Sequence, residues 1–173
     1  LSQSMGFTHR QELTKFDYAI CLAASLAYLM IHQQDPVGLI TFDEKIRDVI
    51  PPKSKRTQLG TILGHLSQLK PTGPTEIAKC LTQVASMFRH KSLVMVFSDL
   101  LAEPGPVFQA LRRLRHRGHD VILFHVLDEA EVNFPYDGMI EFEDPETGEK
   151  VTVDASSYRR DYKSELDGFR ELY

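Results

Sequence analysis

Three apolar runs of strand length, VGLITF (37–42), SLVMVFSD (92–99) and DVILFHVLD (120–128), recur between segments of helical periodicity. This alternation limits the fold more than any other feature. Near-continuous apolar runs suit strands covered on both faces, as in parallel sheets. Strands alternating with helices imply a doubly wound, mostly parallel sheet with helices on both sides, an α/β fold of three layers. In such sheets ligands bind outside the carboxyl ends of the strands, where the strand order reverses.

The remaining elements follow from spacing. Residues 1–12 read as a loop. A helix is expected over roughly 14–34, where Ala19, Leu22, Ala23, Leu26 and Met30 share one apolar stripe. Asp35-Pro36 ends it, because the residue before proline disfavours helix. KIRDVIP (45–51) alternates as an edge strand does, and a helix is expected over roughly 58–69. PTGPT (71–75) leads into a helix that reaches about Arg89, with Thr75 as its N-cap. Pro104 to Arg117 is a helix with Val107, Ala110, Leu111 and Leu114 inward, and Gly118 stops it. MIEFED and KVTVD flank PETG as an acidic β-hairpin. Tyr158, Tyr162, Leu166, Phe169 and Tyr173 then keep helical spacing, as in a C-terminal helix packed on the sheet.

Length fits one domain over residues 1–173, and a domain near this size buries roughly 70% of its unfolded surface without disulfides. Cys21 and Cys80 both fall in apolar helical runs. They read as buried free thiols of a reducing compartment, which points to the cytoplasm. The formal net charge of −4 argues against a dedicated nucleic-acid binder. The apolar run 19–31 falls short of the about 20 residues that cross a bilayer, so this segment is not expected to contact membrane. There is no P-loop, no G-x-G-x-x-G and no G-x-S-x-G, which leaves nucleotide binding and a serine hydrolase poorly supported.

The strand ends carry Thr41 and Asp43, Ser98 and Asp99, and His125 and Asp128. Asp99 directly follows an apolar strand, where its plain alternative role is to cap a turn. Ser2 and Ser4 place two hydroxyls on one side of an extended backbone, and Thr75 follows a proline–glycine loop that can approach closely. Hydroxyls with an aspartate are hard oxygen donors suited to Mg²⁺ or Mn²⁺ rather than zinc. A divalent ion held by neutral hydroxyls and one carboxylate stays under-neutralised and attracts an Asp or Glu from a partner protein. His125 and Asp128 at the same sheet edge support an alternative, a metal-assisted hydrolase or phosphatase. Arg112, Arg113, Arg115, His116, Arg117 and His119 read as a solvated helix face, as do Lys53, Lys55 and Arg56 in their loop. Glu141, Glu143, Asp144, Glu146 and Glu149 read as a sheet edge protected by charge.

Ser2-x-Ser4, Thr75 and Asp99 resemble the metal-ion-dependent adhesion site of von Willebrand factor A-like domains, whose motif is Asp-x-Ser-x-Ser with a distant Thr and a distant Asp. SQSMGF, KFDYAICLAASLAYLMIHQQDPVGLITFD, PPKSKR, VFSDL, RHRGHDVILFHVLDEAE and FEDPETGE resemble the bacterial "domain of unknown function 58" proteins over nearly the whole chain. The resemblance implies a von Willebrand A-like fold. It also implies direct metal contacts from Ser2, Ser4 and Thr75, with Asp99 acting largely through water. It implies no enzymatic activity, and as partner a MoxR-type AAA+ ATPase served in complex assembly or activation. The chain opens on Leu1, so the motif's first Asp and the central first strand are expected just upstream, the sequence being a fragment of a longer protein. If that Asp is truly absent, a scaffold with a degenerate metal site is the remaining alternative.

Overall fold

Thr14 starts the first helix by a capping box. Its Oγ1 accepts the Asp17 N–H at 3.0 Å, and the Asp17 carboxylate accepts the Thr14 N–H at 3.2 Å. The helix, α1 (Lys15–His32), ends four residues before Pro36, with Gln34 in the left-handed region at φ 68°. It leads to β1 (Val37–Phe42), β2 (Ile46–Lys53), α2 (Arg56–Leu66), α3 (Ile77–Met87), β3 (Leu93–Ser98) and α4 (Pro104–His116). Then come β4 (Asp120–His125), α5 (Glu129–Asn133), β5 (Met139–Glu143), β6 (Lys150–Asp154) and α6 (Ala155–Leu172). The structure is a computed structural model and describes residues 1–144 and 147–173. The chain is a mixed α/β protein with six helices and six strands among the described residues.

The expected strands are present, but their pairing is local. Among the described residues β1 pairs antiparallel with β2, β3 pairs parallel with β4, and β5 pairs antiparallel with β6. The parallel pair runs in register from Leu93 opposite Asp120 to Ser98 opposite His125. Its alternation divides two cores. Val94 and Val96 face Leu81 and Ala85 of α3 and Val107, Ala110 and Leu114 of α4. Phe97 points the other way, stacks on Phe124 at 4.8 Å, and packs on Met5, Phe16, Ala19 and Val126. A third cluster joins Ala27 and Ile31 of α1 to Ile62 and Leu66 of α2 against Val37 and Leu39. Phe42, at the end of β1, packs on the same cluster as Val94 and Val96, although β1 and β3 share no ladder.

Several local expectations are corrected. Cys80 is buried, but Cys21 is exposed: the buried face of α1 carries Phe16, Ala19, Ala27 and Ile31, while Leu22, Leu26 and Met30 are half-buried. Thr75 is not the N-cap of α3; Glu76 holds that position and makes no side-chain cap bond. His119 does not belong to a solvated basic face. It is buried, tilts against Phe88 at 4.9 Å, and its Nδ1 accepts the Ser92 N–H. The Gln3–Gly6 stretch, expected as loop, makes a 3₁₀ turn, and α5 was not foreseen. The acidic hairpin forms as β5 and β6; Pro145 and Glu146 lie outside the described residues. It is anchored by rings more than by charge, since Phe134 meets Tyr162 at 4.5 Å and Tyr136 meets both Phe134 and Phe142 at 5.3 Å.

Gly38 sits at an irregularity in the β1–β2 ladder, where a Cβ would lie 2.6 Å from the Ile50 carbonyl oxygen and 3.0 Å from the Pro52 nitrogen. Both obstacles are backbone, so Gly38→Ala must push the strands apart. The expected loss is about 1–3 kcal/mol by urea unfolding, the range for overpacking. An unchanged midpoint would show that this hairpin yields freely.

Candidate functional site

Residues 1–4 run between the carboxyl ends of β1 and β3. On one side the Leu1 amino group donates to the Phe42 carbonyl. On the other the Ser4 Oγ donates to Asp99 Oδ2 at 2.6 Å. Ser2 Oγ lies 2.6 Å from Ser4 Oγ and also accepts the Ser4 N–H at 3.2 Å. The Ser4 proton is directed at the carboxylate, so Ser2 is the donor within the pair. Sequence therefore becomes geometry through the turn: Ser2 caps the 3₁₀ turn, and the turn brings the Ser2 hydroxyl to Ser4 and the Ser4 hydroxyl to Asp99. All three residues are buried, as few polar side chains are without partners.

Asp99 is fixed by the backbone that follows it. Leu100 adopts φ 57° although it is not glycine, its N–H is taken by Ser98 Oγ at 3.0 Å, and its side chain is fully buried. A left-handed non-glycine residue costs on the order of 1 kcal/mol or more and persists where packing over-determines it. Here burial of Leu100 in the α3/α4 core holds the turn that presents the carboxylate.

Thr75 belongs to the neighbouring loop. Thr72 N–H donates to the Leu1 carbonyl at 2.8 Å, Gln3 N–H donates to the Gly73 carbonyl at 3.0 Å, and Glu76 N–H donates to the Asp43 carbonyl at 3.1 Å. The loop is thus sewn to residues 1–3 on one side and to the end of β1 on the other. Thr75 Oγ1 is buried and has no hydrogen-bond partner among the described residues. A buried unsatisfied hydroxyl costs on the order of 1–3 kcal/mol, so an orphan beside a cluster of oxygen donors calls for an explanation.

Lys15, which sequence reasoning passed over, completes the arrangement. Its ammonium is buried and contacts Asp99 Oδ2 at 3.1 Å and Glu131 Oε1 at 2.7 Å. No sequence signal announced it, because a lysine directly after a helix cap residue ordinarily extends into solvent. Glu131 is held in turn: its Oε2 accepts the Asp128 N–H at 2.7 Å, half of a capping box that starts α5. Asp43 is buried at the end of β1. Burial alone would raise its pKa, but hydrogen bonds from Arg47 and the Lys45 N–H, with the Arg47 charge, bring it below the usual carboxylate value. Its contribution to stability is present at neutral pH and lost as pH falls through that lowered value.

The remaining strand-end groups have local tasks. His125 Nε2 lies 3.1 Å from the Asp99 carbonyl oxygen, which can only accept, so that nitrogen carries the proton. Burial pushes the imidazole pKa down, outweighing the opposing pull of Asp99, and the ring is neutral at pH 7. Asp128 caps α5 through Ala130 N–H at 2.8 Å and also accepts the His9 N–H. The structure thus brings together Ser2, Ser4 and Asp99, places Thr75 in the adjoining loop, ties His125 to the Asp99 backbone, and uses Asp128 to cap α5.

Ser2, Ser4, Thr75 and Asp99 form the donor set that a divalent cation would meet here. Every candidate atom is oxygen, and one, Thr75 Oγ1, is buried without a partner, which fits a hard ion. Among the described residues there is no group of three or more His, Cys, Asp or Glu side chains that could hold a metal, so an ion here would draw on hydroxyl oxygens as well as carboxylate. No helix of the described chain is long and apolar enough to cross a membrane. No curated protein and no solved structure gives a match. A family described as "Protein of unknown function DUF58" matches residues 1–171, and the chain belongs to that family.

Proposed function

We propose that the chain is a metal-ion-dependent protein-binding module. The observation that carries this reading is the buried Ser2–Ser4–Asp99 relay with the orphan Thr75 hydroxyl in the adjoining loop. The oxygens of Ser2, Ser4, Thr75 and Asp99 would hold Mg²⁺ or Mn²⁺, and the ion, when bound, supplies a Lewis-acidic position for a carboxylate of the partner. The hydroxyls contribute no charge, so the site stays cationic and favours an Asp or Glu from outside. The resemblance to von Willebrand A-like domains and to proteins associated with MoxR-type AAA+ ATPases supports an accessory role in assembling or activating such an ATPase, without an enzymatic activity of its own.

The same reading includes a three-layer sheet in which a strand lies between β1 and β3. Phe42 and Val94 back one core, yet among the described residues the strands that carry them pair only with β2 and β4. Unpaired edges of apolar strands are strongly disfavoured in isolation. Amides on the facing edges of β1 and β3 should therefore exchange with solvent faster in the 173-residue chain than those bonded to β2 and β4. Equal protection on both edges would argue against an open slot.

The functional test is calorimetric titration with Mg²⁺, followed by capture of an AAA+ ATPase with and without the ion. Ser4→Ala and Asp99→Ala are each expected to weaken Mg²⁺ binding at least about tenfold, the weight of one lost charge-assisted contact. Normal Mg²⁺ binding by both variants would remove the site assignment.

A further inference from the structure

We propose that the Lys15 ammonium is a built-in competitor for the metal: it neutralises Asp99 in the metal-free chain and yields that carboxylate to a divalent cation, keeping Glu131 as its counter-ion. This inference rests on the metal-site reading above and adds a means of setting its affinity.

Three observations carry it. A lysine at the start of a helix ordinarily extends into solvent, yet Lys15 is 3% exposed. Its ammonium has two carboxylates rather than one, Asp99 at 3.1 Å and Glu131 at 2.7 Å, with the Phe7 ring centroid 6.0 Å away. And it touches Oδ2 of Asp99, the same oxygen that receives the Ser4 hydroxyl at 2.6 Å. The one carboxylate available to a metal is therefore already engaged by a cation and a hydroxyl.

A divalent ion entering beside Ser4 meets this positive charge at short range among buried side chains, where like charges repel strongly. The repulsion falls when Lys15 leaves Asp99 for Glu131. Glu131 is ready to receive it, because its other oxygen is tied to the Asp128 N–H and its carboxylate stays in place through the exchange. The two carboxylates consequently act in opposite directions. Asp99 is the position contested between lysine and metal, and Glu131 is the position that lets the lysine go.

Opposite signs follow for two substitutions. Lys15→Met removes the competing charge and keeps the length of the side chain, so Mg²⁺ should bind about ten- to a hundredfold more tightly. Glu131→Gln preserves the capping contact to Asp128 but leaves Lys15 with Asp99 as its sole carboxylate, so Mg²⁺ should bind about tenfold more weakly. The experiment is calorimetric titration of the full chain with MgCl₂ for wild type, both variants, and each variant combined with Ser4→Ala. Tighter binding in Lys15→Met and weaker binding in Glu131→Gln, both abolished by Ser4→Ala, supports the exchange. Unchanged or weaker binding in Lys15→Met, still abolished by Ser4→Ala, leaves the metal site standing and overturns the role of Lys15. Absence of Mg²⁺ binding in wild type and Lys15→Met alike overturns both. Should Lys15→Met fail to fold, unchanged or tighter binding in Glu131→Gln overturns the proposal by itself.

Discussion

Asp99→Ala is expected to lose about 1.5–3 kcal/mol of stability in the absence of any metal, the range for a lost charge-assisted hydrogen bond, because Lys15 keeps Glu131 as a counter-ion. The Lys15 and Asp99 side chains are 1% and 4% exposed, so the cation keeps Glu131 at 2.7 Å but gains no water in place of the lost carboxylate. Ser4 loses its acceptor at the same time, and the Ser2–Ser4 relay then ends on nothing. Asp99→Asn is the informative control. It keeps an acceptor for Ser4 and a dipole toward Lys15, and should cost clearly less. Urea unfolding of the single variants and of Lys15→Met/Asp99→Asn gives the coupling energy directly. A loss below about 1 kcal/mol for Asp99→Ala would mean that the pair is far better solvated than its burial implies.

The second large effect lies one residue further on. Leu100 has no exposed surface, and Leu100→Ala should cost about 2–5 kcal/mol, as truncation of a well-packed core leucine does. The site adds a diagnostic. Leu100 holds a left-handed backbone that glycine adopts freely. Leu100→Gly should therefore be no less stable than Leu100→Ala, against the usual penalty for glycine. Both variants should also bind Mg²⁺ less well, because the turn that presents Asp99 is held by that side chain. If Leu100→Gly proves the weaker of the two by the ordinary glycine margin of about 0.5–1 kcal/mol, the turn is not strained in solution.

The repeating apolar runs made the strands legible: VGLITF became β1 without a change of boundary, the run 92–99 became β3 shortened by one residue at each end, and the run 120–128 became β4 shortened at its carboxyl end. Those shortened ends are where polar residues leave the ladder, so Asp99 and Asp128 lie in turns rather than in strands. Pairing was less legible, since a run covered on both faces looks the same whether its neighbour is parallel or antiparallel. Cys21 was misplaced because α1 is apolar nearly all round, and periodicity then cannot choose the buried face. Ser2, Ser4 and Asp99 were legible as chemistry, hard oxygens near a sheet edge. Their convergence depends on a 3₁₀ turn and a left-handed Leu100 that no periodicity announces. Lys15 was invisible for the plainest reason: a lysine after a cap residue reads as solvent-facing, and only the strand ends beneath it make it a buried counter-ion.

Thr75 offers the most direct test of the metal site, because its hydroxyl has no hydrogen-bond partner among the described residues. Thr75→Val replaces a buried, unpartnered oxygen with a methyl group of similar volume. The measurement is thermal unfolding in EDTA beside calorimetric titration with Mg²⁺, on wild type and Thr75→Val together. In EDTA the variant should unfold at a higher temperature, by the equivalent of about 1–2 kcal/mol, because a desolvated polar group has been removed. In the titration its Mg²⁺ affinity should fall, because one oxygen of the donor set is gone. A variant that is more stable when metal-free yet binds Mg²⁺ less well is the result the site predicts; one that loses stability in EDTA and binds Mg²⁺ as wild type does would contradict it.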